Sequence, residues 1–266
     1  MRPPNNFAEI ALPGLLPVTM RVEEVSAGRE MRETMEPSFV TIRVSGSIGD
    51  VEAVLLRPDD AKWVLVLAHG AGAGMHHPFM ERLASELAGC GVATFRYQFP
   101  YMQQRRKRPD PPAVLIATVR AAIAAASEAA SHLPLFAGGK SLGGRMTSLA
   151  CAEERSSATL GMTRVRGLVF LGFPLHPAGR PDTSRAEHLA QVQVPMLFLQ
   201  GTRDALADLA LLRPVCENLA PRATLHVVDG ADHSFHVLKR SGKTDTDVLR
   251  ELAGTVASWR DALGRR

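Results

Sequence analysis

Gly139-Lys140-Ser141-Leu142-Gly143 sets a serine between glycines, and Gly138 and Gly144 extend the clearance on either side. The spacing G-x-S-x-G suits a serine on a sharp turn between a strand and a helix. There its hydroxyl projects from the carboxyl edge of a sheet, near the positive end of the following helix. The flanks agree, with an apolar run at Leu133–Ala137 before the turn and helical spacing from Leu142 to Glu153 after it. The same residues end like a phosphate-binding loop, G-x-x-x-x-G-K-S, but that loop needs a glycine where Pro134 stands. Ser141 is therefore read as a nucleophile.

A neutral serine attacks poorly without a base to take its proton and an acid to fix that base's tautomer. In the arrangement this turn implies, acid and then histidine follow the serine in the chain. Five histidines follow it: His176, His188, His226, His233 and His236. His226 lies inside a strand, His188 in a short helix and His176 in a loop, which suits packing roles. His233 lies on the loop Asp229–Asp232 that leaves the last strand, so it is the expected base, with His236 as competitor. Asp204 leaves the preceding strand through Gly201-Thr202-Arg203 and is the expected acid, with Asp208 in reserve. Asp232 reads as a turn residue.

Acyl transfer also needs two backbone N–H groups aimed at the developing oxyanion. Leu142, just after the serine, offers one. The loop His69-Gly70-Ala71-Gly72-Ala73-Gly74 offers the other, from Ala71 or Gly72. A dinucleotide-binding G-x-G-x-x-G would need its third glycine where Met75 stands.

The elements that must hold these groups alternate. Phe39–Val44 and Val51–Leu56 read as an antiparallel hairpin. Strands are then expected at Trp63–Ala68, Val92–Tyr97, Leu133–Ala137, Val165–Leu171, Pro195–Gln200 and Thr224–Val228. Helices are expected at 78–88, Ala113–Ser131, Leu142–Glu153, Leu206–Leu219 and Thr246–Leu263, with a short one near Arg185–Gln191. Repeated strand–helix units argue for one α/β domain over residues 38–266, a mostly parallel doubly wound sheet with an N-terminal antiparallel hairpin. Residues 1–37, with prolines at 3, 4, 13, 17 and 37, read as an irregular or disordered arm; Met31 and Met35 equally allow a later start of translation.

The 266 residues carry 31 basic against 27 acidic side chains, interleaved, which gives no stripe for a nucleic acid or an anionic membrane. No run approaches the ~18 consecutive apolar residues of a spanning helix. The three cysteines, Cys90, Cys151 and Cys216, are odd in number and widely spaced, so reduced thiols in the cytoplasm are expected, with neither metal nor cofactor. None of these features bears on oligomeric state.

Four blocks together, HGAGAGMHHPFM (69–80), FRYQFPYM (95–102), GGKSLGGRM (138–146) and GADHSFHVLKRSGKTD (230–245), resemble a branch of α/β-hydrolases related to dienelactone hydrolases. The resemblance runs from about residue 40 to the C-terminus. It implies the α/β-hydrolase fold and a Ser141–Asp204–His233 triad acting on a small-molecule ester or related acyl substrate. Dienelactone hydrolases proper carry cysteine where Ser141 stands, which points away from their own substrate and toward a general carboxylester. Some relatives in this branch look like non-catalytic subunits, so a binding or assembly protein is the alternative. Only about two dozen residues separate Leu171 from Pro195, so little or no cap is expected. The loop Phe99–Pro112 borders the site in this reading, with Tyr101, Arg105 and Arg106 as candidate substrate contacts; part of the basic run Arg105–Arg108 would favour an anionic substrate group, against the alternative of a solvated basic loop. Arg145, unfavourable in the first turn of a helix, is expected to have a specific partner such as a carboxylate.

Overall fold

The computed structural model describes residues 36–153 and 164–264. The arm expected over residues 1–37 lies, apart from its last two positions, outside them. Strands β1 (Ser38–Ser45) and β2 (Gly49–Leu56) pair antiparallel, turning at Gly49, whose positive φ of 91° suits glycine. Six further strands follow: β3 (Trp63–Ala68), β4 (Val92–Tyr97), β5 (Leu135–Lys140), β6 (Val165–Leu171), β7 (Met196–Gly201) and β8 (Ala223–Val228). They form one sheet in the order β1-β2-β4-β3-β5-β6-β7-β8, parallel from β4 onward.

Helices α1 (Pro78–Ala88), α2 (Pro100–Gln103), α3 (Pro112–Ala129), α4 (Leu142–Glu153), α5 (Leu209–Asn218) and α6 (Asp245–Leu263) connect or close these strands. Along β3 the period of two divides the side chains. Val64, Val66 and Ala68 join the apolar layer under α3 and α4, whereas Trp63, Leu65 and Leu67 join the layer under α1 and α6. Both faces are therefore apolar, and burial of each large side chain contributes about 1.5–3 kcal/mol. The doubly wound sheet with its antiparallel hairpin is the architecture the strand–helix alternation predicts. Order reverses between β3 and β5, and the crevice at their carboxyl ends is where such sheets hold ligands.

Several boundaries shift by one or two residues from the sequence reading, and four differences bear on the site or its supports. The glycines read as turn after Ala137 belong to β5, because β6 approaches so closely that a Cβ on Gly138 would stand 1.9 Å from the Val169 carbonyl oxygen. Helix α5 starts at Leu209, not Leu206, because Asp208 caps it, accepting from the Ala210 N–H at 2.8 Å. The segment read as a loop after Phe99 contains α2, and the short element at Ser184–Gln191 is a 3₁₀ helix. Helix α3 is long and apolar enough by composition to cross a membrane. In this fold its face of Leu115, Ile116, Val119, Ala122, Ile123 and Ala126 is spent on the sheet.

Candidate active site

Strand β5 delivers Ser141 to the carboxyl edge, and α4 begins at the next residue. Ser141 takes a φ of 49°, a region that costs a non-glycine residue about 1 kcal/mol or more. Two backbone bonds hold it there: its N–H donates to the Leu171 carbonyl at 3.0 Å, and its carbonyl accepts from the Arg145 N–H at 3.1 Å. Close approach of α4 to β3 requires Gly143, where a Cβ would fall 2.6 Å from the carbonyl oxygens of Ala68 and His69.

Asp204 and His233 arrive from the ends of β7 and β8, beyond β6 in the sheet. The loops after β7 and β8 are stitched together, with the Arg203 N–H on the Ala231 carbonyl at 2.9 Å and the Gly230 N–H on Thr202 Oγ1 at 2.8 Å. The result is one hydrogen-bonded line. His233 Nε2 lies 2.8 Å from Ser141 Oγ, and His233 Nδ1 lies 2.7 Å from Asp204 Oδ2. The imidazole keeps 25% of its surface while the carboxylate keeps 1%. A substrate can therefore reach the base, and water barely reaches the acid. Asp204 is held further by Gln200 Nε2 donating to Oδ2 at 2.5 Å and the Leu206 N–H donating to Oδ1 at 2.8 Å. With Nδ1–H donated to the carboxylate, Nε2 is left free to accept the serine proton.

The loop after β3 lies against the serine, since a Cβ on Gly70 would stand 3.8 Å from Ser141 Cβ. Among the described residues, the Leu142 and Ala71 N–H groups have no acceptor in the protein. The Gly72 N–H donates to Tyr101 Oη at 3.1 Å, so of the two donors expected from this loop only the Ala71 N–H is uncommitted. His69 anchors the same loop. Its Nδ1 lies 2.8 Å from the Gly70 carbonyl oxygen, and its Nε2 accepts the Phe99 N–H at 3.1 Å. Burial pushes its pKa down to about 4, against the raising effect of that carbonyl, so the ring stays neutral and its tautomer is fixed.

Of the three residues expected to bind substrate, Tyr101 and Arg106 are committed to partners within the protein and Arg105 is exposed. Tyr101 is fully buried and supports Gly72. Arg106 is committed to Asp110 at 2.5 Å and Gln104 at 2.9 Å, and Arg105 is exposed at the turn after α2. The basic run is solvated or paired because that is the cheaper state for charge. Arg145 has no carboxylate partner among the described residues. Its Nε is buried without an acceptor, and burial followed by the charge of Arg185 lowers its pKa.

The other histidines are occupied elsewhere. His226 pairs with Glu251 at 2.9 Å and His236 with Asp245 at 2.9 Å; His176 accepts the Asp208 N–H at 3.0 Å. His188 Nε2 lies 2.7 Å from Ser148 Oγ, but that hydroxyl donates to the Arg145 carbonyl and no carboxylate orients the ring. Asp232 holds its own turn, accepting from the Ser234 and His236 N–H groups.

Three contributors were not singled out from the sequence: Lys140, Gly172 and Gln200. A lysine ending an otherwise apolar strand, and a glycine and a glutamine at strand ends beside the acid, were the available signals. Among the described residues, no group of three or more His, Cys, Asp or Glu is placed to hold a metal ion. A cavity of about 1090 Å³ lies at the amino ends of the strands by Phe136, Arg166, Leu197 and Trp259, and none of the groups around Ser141 lines it.

The sequence profile of the alpha/beta hydrolase domain family matches residues 61–261. Two Mycobacterium tuberculosis proteins, each called a putative phosphoribosyl transferase, are 29% identical over 207 residues, covering 76% of this chain and 41% of theirs. The chain thus spans about two fifths of the length of these curated relatives. Among solved structures, a dienelactone hydrolase from Anabaena variabilis is similar with a TM-score of 0.64 and 22% identity, covering 84% of this chain and 96% of that one. A serine hydrolase without lid from Xanthomonas campestris gives a TM-score of 0.63 at 22% identity, covering 84% and 95%. At such identity these likenesses speak for the fold, while the profile takes in most of the sequence and bears out the resemblance drawn from the four blocks. The chain belongs to the alpha/beta hydrolase domain family.

Proposed function

We propose that this chain is a serine hydrolase that cleaves a small ester or related acyl substrate through an acyl-enzyme on Ser141. The observation that carries the reading is the line Asp204–His233–Ser141, with contacts of 2.7 and 2.8 Å, ending on a serine at a helix N-terminus. Ser141 Oγ attacks the carbonyl carbon as His233 Nε2 takes its proton. The carbonyl oxygen gains the negative charge and meets the Leu142 and Ala71 N–H groups. Collapse breaks the bond to the leaving alcohol, which receives the proton from His233. Water then attacks the acyl group by the same route, and Ser141 is restored.

Between Leu171 and Met196 only the 3₁₀ helix stands over this edge, which favours an open site and broad selectivity among small esters. The phosphoribosyl transferase name belongs to chains nearly twice this length. The groups gathered at Ser141 are those that acyl transfer uses.

The test is a burst experiment with a short-chain p-nitrophenyl ester, read together with intact mass. One equivalent of nitrophenolate should be released ahead of steady turnover, with the acyl mass found on Ser141. Asp204→Asn should lower kcat by about 10³-fold or more, because the imidazole loses its fixed tautomer. Ester turnover unchanged in Ser141→Ala would contradict the proposal.

A further inference from the structure

Lys140 occupies the variable position immediately before the nucleophile, and its side chain turns back under the acid–base pair. Its Nζ donates to the His233 carbonyl oxygen at 2.5 Å. It also stands 5.4 Å from the centre of the Phe235 ring, on the same loop. Gly172, at the end of β6, shows how crowded the place is. A Cβ there would lie 3.1 Å from Lys140 Nζ, 3.4 Å from Asp204 Oδ2 and 3.4 Å from His233 Nδ1. Ammonium, carboxylate and imidazole thus face one point, kept open by a glycine in the left-handed region. Gly70 covers the Lys140 stem, with its Cβ position 3.5 Å from Lys140 Cγ.

We propose that Lys140 is the positioning residue of this site: its ammonium fixes the His233 loop by hydrogen bond and its charge opposes protonation of the His233 ring by solvent. The proposal rests on the Ser141–His233–Asp204 reading above. The charged and titratable groups that face Lys140 are Asp204 from the loop after β7, and Asp232 and His233 from the loop after β8. His69, behind Gly70, is neutral. Burial pushes the Lys140 pKa down to about 8, against the raising effect of Asp204 and Asp232, so the ammonium persists across the range in which a histidine titrates. A positive charge close to the imidazole in a partly buried site disfavours a second positive charge there. Activity then extends to lower pH than an isolated Asp–His pair would allow. A lysine that only packed would have no such effect.

The experiment measures the second-order rate of labelling by an alkyl fluorophosphonate from pH 5 to 9, for wild type, Lys140→Met, Lys140→Gln and Lys140→Arg. Thermal melts identify which variants are folded. The two neutral variants guard against the loss of either one to misfolding. The expected result is an acid limb displaced upward by about one pH unit in Met and Gln, and returned to the wild-type position in Arg even where the Arg rate is lower. Neutral variants whose rate falls equally at every pH, with the limb unmoved, would overturn the proposal while leaving Ser141 as nucleophile. So would an Arg variant displaced as far as Met. A folded wild type that does not label would remove the Ser141 reading and this one with it.

Discussion

In the proposed mechanism, what Ser141 gains from a backbone conformation that side chains avoid is a hydroxyl that meets a base and two idle N–H groups. That balance depends on Tyr101, which takes no part in the chemistry. Its hydroxyl holds the Gly72 N–H, so in that mechanism the loop offers the Ala71 and not the Gly72 N–H to the oxyanion. Tyr101→Phe should cost about 1 kcal/mol of stability and roughly tenfold in kcat, with KM little changed, as seen in ester kinetics and a denaturant melt. An equal loss in KM would place Tyr101 against the substrate after all. The candidates Ser141, Asp204 and His233 were legible because each sits a few residues past the end of an apolar strand, in an order the turn imposes. The direction of a long side chain was not legible. Arg105 and Arg106 sit on the loop after β4 just as the sequence suggests, yet Arg106 folds back onto Asp110, four residues along.

Strand ends are where the elements specify the chemistry, and glycines mark the places where they nearly touch. Gly138 lets β6 lie against β5, Gly143 lets α4 lie against β3, and Gly172 leaves room for Lys140 beside the Asp204–His233 bond. These roles differ, and substitution should separate them. Gly172→Ala combines a strained φ of 68° with a methyl facing the acid and the base. It should lower kcat at least tenfold while costing stability only about 1–2 kcal/mol, measured by ester turnover and chemical denaturation in parallel. A variant with wild-type kcat and the same loss of stability would show that the space is not needed. Strand and helix positions were readable from periodicity, since a two-sided core makes β3 a continuous apolar run and β4 and β6 mostly apolar ones. The exceptions follow from long-range contact. Gly138–Lys140 has no strand propensity and becomes strand because its neighbours pair with it.

For the molecule as a whole, the buried histidines tie stability to pH. His69 has a folded pKa of about 4, lowered mainly by burial, against an ordinary value of 6.5. Its contribution is complete above pH 6.5, where both folded and unfolded states are neutral, and is lost as pH falls toward 4, where only the unfolded state gains the proton. The full loss is about 3 kcal/mol. His188, also lowered to about 4 by burial and then by Arg145, acts in the same direction. His69→Gln should flatten the fall in denaturation midpoint between pH 6.5 and 4, and an unaltered fall would place the acid sensitivity elsewhere. The whole sheet and its two apolar layers converge on one partly exposed hydroxyl, so the most direct measurement is covalent labelling by a fluorophosphonate. Wild type should label at a single serine, located by peptide mass at Ser141, with Ser141→Ala and His233→Ala reduced to background. A folded wild type that takes no label, or labelling that survives in Ser141→Ala, would contradict the account.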